Sequence, residues 1–187
     1  KMSMYVKKHQ MDVKVIGIPK TIDNDLVVTD HTPGFGSAAR YVAASILEMA
    51  HDTYIYNTRS VLIAEIMGRD AGWLTASSVL ARNSYSQAPH LIYLPEHPFI
   101  EDIREQFEKR EHIVIAVSEG LRDDKGQYIS AETSAVDAFG HATLSGTGKC
   151  LENLVAETFG CKVRSVEINV LQRCAAHMAS ATDIEES

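Results

Sequence analysis

Short apolar runs alternate along the chain with stretches in which apolar residues recur at helical spacing. The apolar runs predict buried strands at residues 13–18, 61–66, 91–94, 112–117 and 163–170. The intervening stretches predict helices at residues 37–50, 73–82, 100–110 and 150–159. This alternation predicts an α/β fold of three Rossmann-like layers, in which helices cover both faces of a parallel sheet.

Residues at the segment ends refine this pattern. Ser37 is a candidate cap for the helix that follows it, and Gly160 is a candidate stop for the helix before it. Thr182 and Glu185 have the spacing of a capping box, which opens a helix, yet only two residues follow. A helix of one turn gains too few hydrogen bonds to offset its nucleation. We therefore expect the sequence to be a piece of a longer protein, with the fold truncated at both ends.

Composition narrows the classes of function. The chain has 187 residues, and its 25 acidic and 18 basic residues give a formal charge of -7, which disfavours nucleic acid as a partner. No apolar run reaches the ~18 residues of a membrane span, so no membrane partner is expected. The three cysteines lack a C-x-x-C spacing and are interpreted as reduced thiols of a cytoplasmic protein.

The most promising chemistry follows the first predicted strand. Asp23 and Asp25 are two residues apart, so their carboxylates face the same side of an extended segment. Lys20 adds a cation, and Thr21 adds a hydroxyl. Together these groups offer a base, a metal ligand and a charge that stabilises a phosphoryl group. The alternative is an acidic turn whose side chains bond their own backbone.

Three further segments carry candidate residues at predicted strand ends. Met67, Gly68 and Arg69 follow the second strand, where glycine permits close approach of a ligand and arginine matches phosphate. Glu119 follows the fourth strand and can bind sugar hydroxyls. Arg164 and Arg173 flank the last strand and can clamp an anion. The alternative for Met67, Gly68 and Arg69 is a simple strand-to-helix turn, and the alternative for Arg164 and Arg173 is an ordinary surface position.

Two family resemblances emerge from these residues. Asp23-Asn-Asp25-Leu-Val27 resembles the D-x-D-x-[T/V] motif of the haloacid-dehalogenase-like phosphatases, in which the first Asp becomes phosphorylated. A stronger resemblance covers the chain from about Met11 to its end. The motifs GIPKTIDND, EIMGRDAGW, SEG and LQRC, in that order, resemble the phosphofructokinases. Lys20 stands where ATP-dependent bacterial members carry Gly. In this position the chain resembles the pyrophosphate-dependent branch of the family.

The phosphofructokinase resemblance implies a role for each matching residue. It implies that Asp23 is the general base for the 1-hydroxyl of fructose 6-phosphate, and that Asp25 lies near magnesium and the transferring phosphoryl group. Lys20 would take up charge on the departing phosphate. It implies substrate contacts for Thr21, Met67, Gly68, Arg69, Glu119 and Arg173, and a contact from Arg164 to the site of a neighbouring subunit in a homo-oligomer.

The chain also departs from the family pattern. Ser60 stands where the bacterial pattern has an arginine, and Val170 where it has a histidine that contacts the 6-phosphate. The Gly-Gly-Asp loop that binds the donor in the family is absent from these residues. We therefore expect a fragment that is inactive alone, with residues 1–35 and 172–187 belonging to a donor-side domain and 36–171 to a substrate-side domain.

The resemblance leaves alternatives open. An ATP-dependent phosphofructokinase would make Lys20 an exception. A non-catalytic homologue that senses sugar phosphate would have no need of the intact pair Asp23 and Asp25. The aspartyl-phosphate phosphatase remains the most distant alternative.

Overall fold

A parallel sheet of four strands forms the centre of the computed structural model, which describes residues 1–95, 100–130 and 146–186. The strands are β1 (Ser60–Ile66), β2 (Leu91–Tyr93), β3 (His112–Ser118) and β4 (Lys162–Glu167). Their order in the sheet is β2-β3-β1-β4, and every pairing is parallel. The sheet of the predicted α/β fold is thus confirmed.

Helices cover both faces of this sheet. Helix α1 (Met2–Lys8) precedes them, and the others are α2 (Phe35–Tyr54), α3 (Trp73–Ser77), α4 (Ile100–Lys109), α5 (Thr147–Phe159) and α6 (Ala181–Glu186). Helices α2 and α3 bury their apolar side chains against Leu62, Ala64 and Val114 on one face. Helices α4 and α5 pack against Val61, Ile63 and Ile115 on the other. The three predicted layers are therefore present. No helix among the described residues is long and apolar enough to cross a bilayer.

Burial along the strands explains their positions in the sheet. All seven residues of β1 are buried, as expected for a central strand with helices on both faces. Strand β4 lies at the edge of the sheet and exposes Lys162, Arg164 and Glu167. It ends at Glu167, and a 3₁₀ turn at Asn169–Arg173 replaces the last part of the predicted strand. This turn carries Arg173 away from the sheet.

The predicted strand at residues 13–18 is wrong. The segment forms no strand, and Ile16 and Ile18 are each 84% exposed. A strand needs a neighbour that pairs its backbone N–H and C=O groups. No strand pairs with this segment within the described parts of the chain. Its apolar sequence indicated burial but carried no information about a partner.

The predicted helix caps are partly wrong. Helix α2 begins at Phe35, so Ser37 lies in its first turn and Gly34 is the N-cap. Helix α6 begins at Ala181, and the hydroxyl of Ser180 accepts the backbone N–H of Asp183 at 3.1 Å. The capping residue is therefore Ser180 and not Thr182. Gly160 does end α5, with the φ of 60° that glycine adopts easily.

Candidate active site

The loop at residues 19–25 forms one wall of a cleft. Its backbone is organised by short side-chain contacts, since the Thr21 Oγ1 accepts the backbone N–H of Asp23 at 3.0 Å. Asn24 adopts a left-handed conformation with a φ of 56°, and its Oδ1 accepts the N–H of Thr32 at 3.0 Å. Ile22 is buried and anchors the loop in the core. These contacts fix the loop although no strand precedes it.

The turn after β1 meets the residues after β3 at the opposite wall. The Glu119 Oε1 accepts the backbone N–H of Gly68 at 3.1 Å and that of Arg69 at 2.8 Å. This close approach depends on Gly120, because a Cβ at that position would lie 2.0 Å from the Arg69 carbonyl oxygen. The backbone of Glu119 is also tied to β1, since its N–H donates to the Ile66 carbonyl at 2.9 Å. The parallel pairing of β1 and β3 therefore brings the two segments together.

Eight of the ten predicted site residues line one open cleft of about 540 Å³: Lys20, Thr21, Asp23, Asp25, Met67, Arg69, Glu119 and Arg173. Gly68 lies beside it through its bond to Glu119. Lys20 and Arg173, which both line the cleft, are 153 residues apart in the chain, so sequence proximity does not explain the cluster. The cleft therefore combines three carboxylates and three cations in one space.

Arg164 lies outside this cleft. It is exposed on edge strand β4, and its guanidinium donates to Asp52 at 3.1 Å and to the Tyr56 hydroxyl at 3.2 Å. It lines separate shallow hollows beside α2. Arg164 is therefore not placed to contact a ligand in the cleft of its own chain. Its predicted role toward a neighbouring subunit stays a prediction.

The cleft shifts the proton affinity of two carboxylates. Burial and the nearby Asp25 raise the pKa of Asp23, while Arg69, Arg173 and Lys20 oppose the increase. Burial also raises the pKa of Glu119, against the two backbone N–H bonds it accepts. A carboxylate with a raised pKa is a better base at neutral pH than an ordinary one. Asp23 combines this property with three cations within electrostatic reach.

Sequence reasoning missed several residues that build the site. Asn24, which lies between the two aspartates, closes the loop on Thr32. Gly120 permits the contact between Glu119 and the Arg69 turn, and the SEG motif offered a signal for it. Asp183 accepts the N–H groups of Gly34 at 2.6 Å and Ser37 at 2.7 Å. It thus fixes the helix start that follows the loop.

The fold and the cleft together define a three-layer α/β protein with a cleft of mixed charge at the carboxyl ends of its parallel strands, the usual position for a ligand in such sheets. The family model described as phosphofructokinase matches residues 2–173, and the chain belongs to this family. The aspartyl-phosphate phosphatase hypothesis is therefore wrong.

Several relatives resemble nearly the whole chain. The pyrophosphate–fructose 6-phosphate 1-phosphotransferase of Xanthomonas campestris is 42% identical over 100% of this chain and 46% of its own length. The protein of the same name from Halomonas elongata is 37% identical over the same shares. The crystal structure of the pyrophosphate-dependent phosphofructokinase of Marinobacter aquaeolei is similar, with a TM-score of 0.78 and 36% identity, over 98% of this chain and 44% of that one. The chain thus spans about half the length of the curated relatives it matches.

Proposed function

We propose that the cleft binds fructose 6-phosphate and forms the acceptor side of a phosphotransferase. The reaction would move a phosphoryl group from pyrophosphate to the 1-hydroxyl and give fructose 1,6-bisphosphate, a step of glycolysis. The observation that carries the proposal is the convergence of Asp23, Glu119, Arg69 and Arg173 in one cleft. The names of the relatives at 36–42% identity support the same substrate pair.

Asp23 is the proposed general base. Its carboxylate takes the proton of the 1-hydroxyl while the hydroxyl oxygen bonds to phosphorus and the bond to the departing phosphate breaks. The raised pKa of Asp23 suits this transfer. Lys20, on the same wall, neutralises charge that collects on the departing phosphate. Thr21 holds the Asp23 backbone and presents its hydroxyl to the substrate.

The remaining residues hold the sugar phosphate. Glu119 is proposed to accept hydrogen bonds from the sugar hydroxyls through the carboxylate oxygen that the Gly68 and Arg69 amides leave available. Arg173 is proposed to bind the 6-phosphate, and Met67 with Arg69 to line the opposite wall. Catalysis of this kind depends on positioning and charge neutralisation. Arg164 would serve the site of a neighbouring copy in a homo-oligomer.

Magnesium is the proposed cofactor. Mg²⁺ is usually bound by one or two carboxylates together with substrate phosphates. Asp25 and Asp23 offer two carboxylates in the cleft, and no group of three metal-binding side chains exists among the described residues. The donor set therefore fits an ion that arrives with the phosphates, with Asp25 as its ligand. When bound, the ion would supply positive charge beside the phosphoryl oxygens.

The donor side is proposed to lie mostly in other residues of the parent protein. The chain contains no Gly-Gly dipeptide and so no Gly-Gly-Asp loop. We therefore expect the 187-residue chain to bind the sugar phosphate without turning it over. Residues 1–35 and 172–187 are proposed to belong to the donor-side domain, and 36–171 to the substrate-side domain. We propose a cytoplasmic location for the parent protein.

Pyrophosphate is favoured over ATP as the donor because Lys20 lies in the cleft and two relatives that match the whole of this chain carry the pyrophosphate name. A purely sensory homologue is disfavoured because the cleft keeps a half-buried carboxylate with a raised pKa among cations, which binding of an anion does not require. The parent protein would use ATP if the first alternative held, and it would show no turnover with either donor if the second held.

Calorimetric titration of the chain with fructose 6-phosphate tests the proposal. Arg173→Met should weaken binding by about tenfold or more, the usual effect of losing a charged hydrogen bond to phosphate. Arg104→Met is the matched control, because Arg104 lies on α4, which packs on the opposite face of the sheet from α2, and is exposed. Absence of binding by the unsubstituted chain, or equal losses in both variants, would contradict the proposed site.

A turnover assay with pyrophosphate and magnesium completes the test. The chain should bind fructose 6-phosphate and produce no fructose 1,6-bisphosphate. Clear turnover would show that the acceptor and donor sites are both complete in these residues, and the division proposed above would be wrong.

A further inference from the structure

Glu65 is a buried carboxylate that the proposed reaction does not use. It lies on the central strand β1, two residues before Met67, and only 4% of it is exposed. Its Oε2 accepts the backbone N–H of Gly148, in the first turn of α5, at 2.7 Å. A carboxylate buried in a sheet is costly unless it is hydrogen-bonded, so this contact with α5 is its principal compensation among the described residues.

The first turn of α5 also contacts the cleft. The Thr147 hydroxyl donates to the backbone carbonyl of Glu119 at 2.8 Å. Glu119 in turn accepts the N–H groups of Gly68 and Arg69. A closed ring of hydrogen bonds therefore runs from Glu65 to α5, from α5 to Glu119, and from Glu119 back to the turn after β1. Only short covalent segments connect its members, so we expect the loss of one bond to disturb the others.

Burial, two neighbouring carboxylates and two backbone N–H groups act on the pKa of Glu65. Burial raises its pKa to about 7, and the Gly148 N–H opposes this increase. Glu167 on β4 and Glu119 after β3 raise the pKa further, while the Gly146 N–H lowers it. The positive end of the α5 dipole favours the ionised form. The strength of the bond to α5 therefore varies around neutral pH.

We propose that Glu65 is a positioning residue which, through the first turn of α5, holds Glu119 in the orientation that binds the hydroxyls of the sugar phosphate. The identity of the ligand in this proposal rests on the proposed function. The link from Glu65 to Glu119 rests on the ring of hydrogen bonds. It assigns Glu65 to recognition of the sugar and not to recognition of the phosphate, because the ring includes Glu119 and excludes Arg173.

The test compares three variants of the chain. Glu65→Ala removes the acceptor, and Glu65→Gln keeps an acceptor but removes the charge. Glu152→Ala is the matched control, since Glu152 also ties α5 to the sheet by accepting the Ser165 N–H at 2.9 Å but lies outside the ring. Dissociation constants for fructose 6-phosphate and for inorganic phosphate are measured by titration, and exchange of the Gly68 and Arg69 amides is followed by NMR.

Glu65→Ala should weaken fructose 6-phosphate binding by about tenfold, leave inorganic phosphate binding within about twofold, and speed exchange of both amides. Glu152→Ala should do none of these. At pH 8, Glu65→Gln should bind fructose 6-phosphate more tightly than Glu65→Ala does and about as tightly as the unsubstituted chain. Between pH 6 and 8, its affinity should vary less with pH than the affinity of the unsubstituted chain. The sugar phosphate titrates equally in both proteins, so the difference between them reports Glu65.

Equal effects of Glu65→Ala and Glu152→Ala on sugar binding and amide exchange would overturn the proposal. If Glu65→Ala does not fold, Thr147→Val breaks the next bond of the ring and should give the same losses. If the unsubstituted chain does not bind fructose 6-phosphate, the proposed function fails. The exchange of Gly68 and Arg69 then still decides whether Glu65 positions Glu119.

Discussion

The Asp183 carboxylate caps the first turn of α2 by accepting the backbone N–H of Ser37 at 2.7 Å, across 146 residues of sequence. The same carboxylate accepts the N–H of Gly34 at 2.6 Å and the hydroxyl of Ser180 at 2.8 Å. Gly34 ends the loop that carries Asp23, so the last described helix and the candidate active site share one anchor. An anion at a helix N-terminus is also favoured by the helix dipole.

Asp183→Ala is expected to lower the free energy of unfolding by ~1–2 kcal/mol, the usual cost of a lost cap. Burial disfavours ionisation of Asp183, but the bonds from Ser37, Gly34 and Ser180 outweigh it and lower its pKa to about 2. The folded value lies below the ordinary value of 3.8, so this stabilisation is present above pH 4 and is lost as pH falls toward 2.

Urea unfolding at several pH values checks this cap. Asp124→Ala is the control, since it removes an exposed carboxylate in a surface turn. The Asp183 variant and the unsubstituted chain should differ at pH 7 and converge as pH falls from 4 toward 2. An equal effect of both substitutions at pH 7 would contradict the cap.

Gly120→Ala is expected to disrupt the contact between Glu119 and the Arg69 turn. The added Cβ would lie 2.0 Å from the Arg69 carbonyl oxygen, and a backbone atom cannot move away without shifting the turn. We expect a loss of ~3–5 kcal/mol of unfolding free energy. Gly17→Ala is the control because nothing lies within 4 Å of its Cβ position, and it should change stability by less than ~0.5 kcal/mol. Thermal unfolding of both variants measures the difference, and similar midpoints would refute the clash.

His90 is expected to make stability depend on pH below neutrality. Its Nδ1 accepts the Val114 N–H at 2.8 Å, and burial, with Arg110 and Arg82, lowers its pKa to about 4. His90 therefore binds a proton near pH 6.5 in the unfolded chain, but only near pH 4 in the folded chain. Stability is full above pH 6.5 and falls as pH drops toward 4, by on the order of 2 kcal/mol.

Unfolding free energies of the unsubstituted chain and His90→Asn isolate this contribution. The asparagine can still accept the Val114 N–H but does not titrate. The variant should show a smaller decline between pH 6.5 and 4, and an unchanged decline would show that His90 does not carry it.

The strands that are buried on both faces of the sheet were the most accurately predicted from the sequence. The runs at 61–66 and 112–117 fall within one residue of β1 and β3, because a continuous apolar run has a fixed meaning in the centre of a parallel sheet. The run at 13–18 has the same pattern, yet it forms no strand. Hydrophobic pattern specifies that a segment is to be buried but not what buries it.

The site was predictable where its chemistry lies in local motifs. Asp23, Arg69 and Glu119 stand in motifs that the sequence displays, and the parallel sheet brings the strand ends together. Asp183 could not be found this way, and the SEG motif marks Gly120 without showing which contact needs a glycine there. The role of Asp183 depends on a contact with Ser37 at the other end of the chain, and that of Gly120 on a distance between two backbones.

Asp23→Asn is expected to retain or strengthen binding of fructose 6-phosphate to the chain. Asp23 is proposed as the base and not as a binding group, and its charge repels the phosphate of the ligand. Without that charge, the attraction of Arg69, Arg173 and Lys20, which act on Asp23 electrostatically, is no longer opposed by its carboxylate when the anionic ligand binds. We expect an affinity between equal and about fivefold tighter at low salt, an effect that declines as salt screens the charges.

Calorimetric titration at two salt concentrations checks this expectation, with Glu119→Gln as the comparison. The Glu119 variant keeps its size but loses the charged acceptor proposed to hold the hydroxyls, so its affinity should fall by about tenfold. A tenfold loss in Asp23→Asn as well would mean that Asp23 holds the sugar directly, and its assignment as a base separate from binding would have to be abandoned.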